Sequence, residues 1–512
     1  MKIALNVLLV NGNVSQCARS GYGPTPAPAG LIALAGVLRR RGHLVQIRQA
    51  AAHVLPQDEE SLPLLRAELE GVLAEFSPDL IGLSARNVGA ARRPSNPFHL
   101  IEYYSAFYDE RLVRAFRMLS KAPIVMGGTA FSIEPALYLK HARPDFGLLG
   151  EAEESLPALA EALSQGRPPR GIPGLVTSAA DLGAGRSAPG RLDDLSVMGV
   201  GACDLVEDFR GHYYERGGLA PIQTKRGCAM NCIYCTVCRL EGCAYRFRPV
   251  ADVVSEMNAY RDAWGVKHFF FVDATFNHQP DHALEVCDAV LRAGLEVEWF
   301  AEVTPATMSD ALARAMKRAG CTAVTLTPDS LSDRVLEVYG KGFRVADVKH
   351  AIEVLKRHAI PFDTCLIVGG PGETQDTLAE SLAFCREHLR EDVVRFYDGM
   401  NISTCSRAYS LAVSEGLIDP ATPYEELVFR NDFRSVKAYE YFFPHIKHGR
   451  EGLLEWVQAS CRGRRWLLTS QDYVTDGVTG EFSLRPESRV RPGARPWWSG
   501  LRRGKIMTSP AR

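Results

Sequence analysis

The sequence has almost no net charge. Its 59 Lys and Arg balance 60 Asp and Glu, leaving a formal -1. No basic surface is implied, so neither nucleic acid nor an anionic membrane is an expected partner. Long apolar runs are also missing, and none approaches the roughly 18 residues needed to cross a bilayer. The opening "MKIALNVLLVNGN" has one lysine, a short apolar run and no small-residue cleavage site. It reads as a buried first strand rather than a signal peptide. No repeat of fixed period is present. These absences lead to the expectation of a cytoplasmic protein without a membrane span. The basic end (Arg502, Arg503, Lys505) reads as a solvated tail.

What is there is ordinary globular composition, 46% hydrophobic and 23% charged over 512 residues. That length suits about three domains. From 1 to 195, short apolar runs ("IALNVLLV", "HLVQIRQ", "DLIGLSA", "APIVMGG", "DFGLLG") alternate with helical patterns. This predicts a doubly wound α/β domain, Rossmann- or flavodoxin-like, with a parallel sheet covered on both faces. Such sheets bind ligands at the carboxyl ends of their strands. Gly82 and Ser84, then Gly127, Gly128 and Thr129, then Gly150 and Glu151 fall at those ends. A Gly-, Pro- and Asp-rich linker runs to about 218. From 219 to 405 about six further βα units follow, the pattern of a full or partial TIM-type barrel with chemistry at the strand C-termini. The last segment, 406 to 512, holds aromatics ("YEYFFPHIKHG", "RPWWSG") and little periodicity. It reads either as a cover for the barrel mouth or as a small accessory fold.

Five of the 13 cysteines crowd into "CAMNCIYCTVCRLEGC", Cys228 to Cys243. The loop follows the first barrel strand, so it lies at the catalytic face. Cys228, Cys232 and Cys235 have the spacing C-x-x-x-C-x-x-C. Three thiolates on one short loop can hold three irons of a 4Fe–4S cluster and leave the fourth open to a ligand. Zinc would want a second knuckle or a His pair, and neither follows at the usual spacing. Cys238 and Cys243 are left as a candidate fourth ligand or as free thiols beside the site, the second being the simpler reading.

This loop, with an aromatic before its last cysteine, resembles the radical S-adenosylmethionine (SAM) signature. "FFFVDATFNH", "AGCTAVTLTPDSLSDRVLEVYGKGF", "LIVGGPGET" and "YSLAVSEGLI" are similar to successive barrel segments of the cobalamin-binding radical SAM enzymes. "GLSARN", "IVMGGTAFS" and "GLLGEAEE" are similar to their cobalamin domain. The resemblance covers about 1 to 420. It implies a 4Fe–4S cluster on Cys228, Cys232 and Cys235, with SAM chelated to the open iron and cleaved to a 5′-deoxyadenosyl radical. It places SAM near Asp273, Thr275 and Asn277, near Glu302, near Asp329 and Ser330, and near Gly369, Gly370 and Gly372. The bland alternative for the polar members is a helix or turn cap. Cobalamin would lie against Ser84, Gly127, Gly128, Thr129, Gly150 and Glu151. The Asp-x-His-x-x-Gly motif that supplies an axial histidine is absent, and His43 reads as a strand-entry residue, so no histidine ligand from that motif is expected.

The activity this implies is a cobalamin-dependent C-methyltransferase acting on an unactivated carbon of a natural-product or lipid intermediate. An electron donor such as flavodoxin or ferredoxin would serve it. A non-methylating cyclase, ring-contraction or oxidation enzyme would share both cofactors. A non-catalytic iron–sulfur or cobalamin sensor is the rival from another class, disfavoured by the polar strand ends. The insertion-like stretch 86 to 104 reads as a pocket wall or as packing.

Overall fold

The computed structural model describes residues 4–11, 27–49, 62–85, 90–91, 103–182, 188–206, 219–400, 402–421, 456–457, 459–469, 473–476 and 482–484. Most of 86–104, most of the segment after 421, and the basic tail lie outside the described residues.

The first sheet is built from β1 (Asn6–Asn11), β2 (Leu44–Gln49), β3 (Leu80–Ser84), β4 (Ile124–Gly127), β5 (Phe146–Leu148) and β6 (Leu175–Val176). Its order is β2-β1-β3-β4-β5-β6, parallel except for the last pair. Helices α1 (Ala29–Arg40), α2 (Leu62–Glu75), α3 (Ser105–Leu119), α4 (Thr129–Ile133), α5 (Pro135–His141) and α6 (Ser155–Ser164) connect or cover it. Val7 and Leu9 of β1 belong to one buried cluster, Leu8 and Val10 to another. Both faces are therefore dry, which is why this strand reads as a continuous apolar run.

The second sheet starts with β7 (Ala220–Ile222), followed by the short antiparallel ribbon of β8 (Lys225–Arg226) and β9 (Arg246–Phe247), with α7 (Val237–Leu240) between them. Then α8 (Val250–Trp264), β10 (His268–Phe271), α9 (Pro280–Arg292), β11 (Glu298–Val303), α10 (Asp310–Arg318) and β12 (Cys321–Asp329) alternate. They are followed by α11 (Asp333–Tyr339), α12 (Val345–Arg357), β13 (Phe362–Val368), α13 (Gln375–His388), β14 (Val393–Asp398) and α14 (Arg407–Ser414). Helix starts carry local signals, with Ser309 capping α10, Thr374 capping α13 and Pro280 opening α9. The sheet runs in parallel from β7 to β14 and does not stop there. β15 (Trp466–Thr469) adds in parallel to β14, and β16 (Tyr473–Asp476) and β17 (Phe482–Leu484) extend the edge antiparallel. Periodicity did not reveal β15, because only four residues carry it and its register is set by β14, with Trp466 opposite Val394.

One buried cluster runs through both sheets, from Val7 and Ile47 through Val206 to Val253 and Phe396. The segment expected as linker is partly packed, since Leu192, Leu195 and Met198 bury against Ala33. Trp299 on β11 is 1% exposed, meets Phe271 edge-on, and donates its indole N–H to Ala319 O at 2.8 Å. Trp299→Ala is expected to cost about 3–5 kcal/mol through the cavity left behind. Denaturant unfolding of the barrel transition checks it.

Candidate active site

The cluster loop is held by its own backbone. Cys228 N donates to Gly242 O at 3.0 Å and Gly227 N to the Glu241 carboxylate at 3.0 Å. A Cβ on Gly227, where φ is 91°, would sit 2.1 Å from Ala244 O, so no other residue fits. From below, Ile233 N donates to Tyr339 O at 3.0 Å, and a Cβ on Gly340 would sit 2.4 Å from Asn231 O. Lys341 completes the seat. Its ammonium pairs with Asp329 and donates to Tyr234 Oη at 2.9 Å and Thr327 O at 3.2 Å, while Tyr234 Oη donates to Asp329. Asp329 has φ of 66°, an uncommon conformation for aspartate that these partners hold in place.

Cys228 is buried, Cys232 and Cys235 are half-buried, and all three are unpaired. Burial pushes the Cys232 thiol up to about 11 and raises Cys235, so both are protonated until iron displaces the proton. Among the described residues no three His, Cys, Asp or Glu side chains converge on one point as a single ion requires. Cluster ligands bind separate irons and need no such convergence, so this donor set fits a 4Fe–4S cluster. Cys238, in α7, is paired as a disulfide with Cys243 in the turn that follows it, Cα to Cα 4.5 Å. This corrects the expectation of two free thiols.

Several residues expected at SAM are occupied by the protein itself. Asp273 accepts four hydrogen bonds, from Thr224 N (2.7 Å), Thr224 Oγ1 (2.6 Å), Lys225 N (3.2 Å) and Lys225 Nζ (3.1 Å). Its carboxylate anchors the strand end leading to the cluster loop and has no capacity left for an ammonium. Asn277 spends its amide on Thr304, donating to O and accepting from N, both at 2.8 Å. Asp329 serves Lys341 and Tyr234, and Ser330 Oγ accepts from Ser332 N at 3.3 Å. A Cβ on Gly370 would sit 2.0 Å from Tyr339 Oη, and one on Gly372 2.7 Å from Val338, so these glycines answer to α11. Gly369 N donates to Glu373, a carboxylate pushed by burial up to about 8. Two expected residues keep capacity. Thr275 Oγ1 is buried with no hydrogen-bond partner among the described residues, and Glu302 is exposed inside the barrel.

A cavity of about 290 Å³ opens between the two sheets. Ser84, Gly127, Gly128, Thr129, Gly150 and Glu151 all line it, together with Gly30, Gly82 and Ala152. The barrel contributes Gln223, Arg226, Leu240, Glu241 and Val272. Ligand pockets run roughly 300–1,000 Å³, so this cavity takes one part of a cofactor as large as cobalamin, and small residues let that part reach the backbone. No histidine is among the lining residues. His43 lies elsewhere, its Nδ1 accepting from Leu5 N at 3.2 Å. Across the cavity wall Arg226 pairs with Glu153 at 2.5 Å and Glu151 at 3.4 Å, and Arg246 grips Glu151 at 2.6 and 2.8 Å.

Sequence reasoning missed Arg226, Arg246, Glu153, Lys225, Lys341 and Glu373, and noted Tyr234 only as the aromatic before the last cysteine. Lys341 had a signal, standing between two glycines in "YGKGF". Arg226 had one too, as a charged residue in the stretch that starts the cluster loop.

Comparison with known proteins matches the two sheets separately. A B12-binding domain model matches residues 21–160, and a Radical SAM superfamily model matches residues 222–385. An uncharacterized methyltransferase of Pyrococcus horikoshii is 27% identical over 394 residues, 76% of this chain and 79% of that protein. The tryptophan 2-C-methyltransferase of Streptomyces laurentii is 24% identical over 436 residues, 73% of this chain and 70% of that one. The solved structure of the radical SAM methyltransferase TsrM from Kitasatospora setae, with tryptophan substrate and a SAM analog bound, gives a TM-score of 0.73 at 23% identity, covering 97% of this chain and 95% of that one. At that identity the likeness establishes the fold. With a B12-binding domain match followed by a Radical SAM match, this chain carries the two domains of the cobalamin-binding radical SAM enzymes, and the proteins it is similar to include ones named as methyltransferases and ones named as cyclases.

Proposed function

We propose that the protein is a C-methyltransferase that transfers a methyl group to an unactivated carbon of a small-molecule substrate. The observation that carries this reading is the shared wall. Arg226 lines the cavity between the sheets and stands two residues before Cys228. Cobalamin and cluster sites joined so closely suit a reaction in which a radical made at one is met by a methyl group from the other. Held by Cys228, Cys232 and Cys235, a cluster with SAM would supply radical chemistry, and a cobalamin in the cavity would supply a transferable methyl group.

The chain's own residues would divide the work as follows. Cys228, Cys232 and Cys235 hold the cluster. Lys341, Asp329 and Tyr234 seat the loop. Thr275 has an open hydroxyl for SAM. Ser84, Gly127, Gly128, Thr129, Gly150 and Glu151 enclose the cobalamin tail. Glu153 and Arg226 hold the two sheets in register across it. The cobalamin unit spans 1–195 and the barrel 219–405. A reduced flavodoxin or ferredoxin delivers the electrons.

Anaerobic purification from cells supplied with iron and cobalamin should yield about four irons per chain and a bound corrinoid. With SAM and reductant the product should carry a new C-methyl group; SAM cleavage with no methylated product from any candidate would sink the reading. Cys232→Ala should lose the brown chromophore and all SAM cleavage while keeping the corrinoid. Cys238→Ser with Cys243→Ser should hold iron at the parent level, since the pair serves α7 and not the cluster. Arg226→Met leaves Glu153 buried and unpaired, a change worth about 3–5 kcal/mol. Corrinoid retention and iron content are both expected to fall in that variant, read by absorbance and iron assay.

A further inference from the structure

Strand alternation decides what the barrel interior contains. Trp299, Ala301 and Val303 of β11 pack outward under the helices, so Phe300 and Glu302 point inward. The same parity turns Thr325 of β12, Asp363 of β13 and Arg395 of β14 inward, because Val324, Leu326, Phe362, Leu366, Val394 and Phe396 face the helix layer. The lowest inward layer is apolar, formed by Leu219, Phe270, Phe300 and Ala323. The layer above it is charged. Thr325 donates to Asp363 at 2.6 Å, and Arg395 pairs with Asp363 at 2.7 Å. At the rim Lys341 neutralises Asp329.

Glu302 is left over. Its side chain is exposed within the interior, and its carboxylate has neither a hydrogen bond nor an ion pair among the described residues. Among the described residues three inward carboxylates, Glu302, Asp363 and Asp329, face two cations, Arg395 and Lys341. One negative charge is uncompensated. Enclosure by the barrel, and then the Asp363 and Asp329 carboxylates, push Glu302 up to about 7 against the smaller opposing effect of Lys341.

We infer that Glu302 anchors a cationic nitrogen of the substrate, which is therefore a polar, amine-bearing molecule and not an apolar lipid. The inference rests on the proposed function, which makes the barrel interior the substrate chamber. A charged layer would strip water from its own groups to accept a hydrocarbon, whereas an ammonium completes the charge balance. SAM also carries cationic groups, and the test separates the two sources.

Holoenzyme carrying cluster, corrinoid and SAM is screened by ligand-observed NMR against primary amines, each paired with the alcohol of the same carbon skeleton. Amines are expected to bind about ten-fold more tightly than their alcohols. Glu302→Gln should erase that preference with iron, corrinoid and SAM affinity unchanged. Glu302→Asp, with the charge on a shorter arm, should keep a weakened preference. Equal binding within the pairs, or no amine bound at all, overturns the inference. A fall in SAM affinity on Glu302→Gln overturns it too, and gives the carboxylate to SAM. A protein that loads neither cluster nor corrinoid fails at the earlier step and removes the functional reading itself.

Discussion

The centre of this molecule depends on one buried guanidinium. Arg226 belongs to a two-residue strand, is 7% exposed, and meets Glu151 and Glu153 of the other sheet. Taking an arginine out of water costs several kcal/mol, and only well-placed carboxylates return it. Glu153 is held ionised by Arg226 against the opposing effect of its own burial. The planar fork suits this task better than an ammonium would, because it addresses two carboxylates at once. Since Arg226 precedes the cluster cysteines by so little, the position of the loop and the position of the first sheet become one variable.

A second clamp works from the opposite side. Lys341 and Asp329 are buried together against Tyr234, a half-buried member of the cysteine loop itself. Lys341 favours the thiolate forms of Cys232 and Cys235, but burial and Asp329 act against it, so both thiols stay raised until metal displaces the proton. Between the two clamps the loop has little freedom. Close backbone approaches at Gly227 and Gly340 close the remaining gaps.

Much of the architecture was legible. "NVLLVN" and its partners are apolar on both faces, so alternation with helices was enough to predict a covered parallel sheet. Cysteine spacing was enough to put three thiolates on one loop, and Cys228, Cys232 and Cys235 stay out of any disulfide there. The six residues expected at the cobalamin tail do line one cavity, since all of them lie at carboxyl ends of parallel strands. The polar SAM candidates were harder. Asp273, Asn277 and Asp329 stand where a ligand could be, yet each is taken by the fold.

The sequence by itself determined what depends on local spacing: strand and helix order, the ligand loop, and the lack of a histidine motif for cobalt. Tertiary structure decided which polar groups are spent and which remain. Asp273 answers to Lys225, 48 residues away, and Tyr234 to Lys341, 107 residues away. No periodicity carries such a pairing, because it arises only when the barrel closes. Glu302 illustrates the same limit, for its lack of a partner is a property of the whole inward layer and not of any stretch of chain.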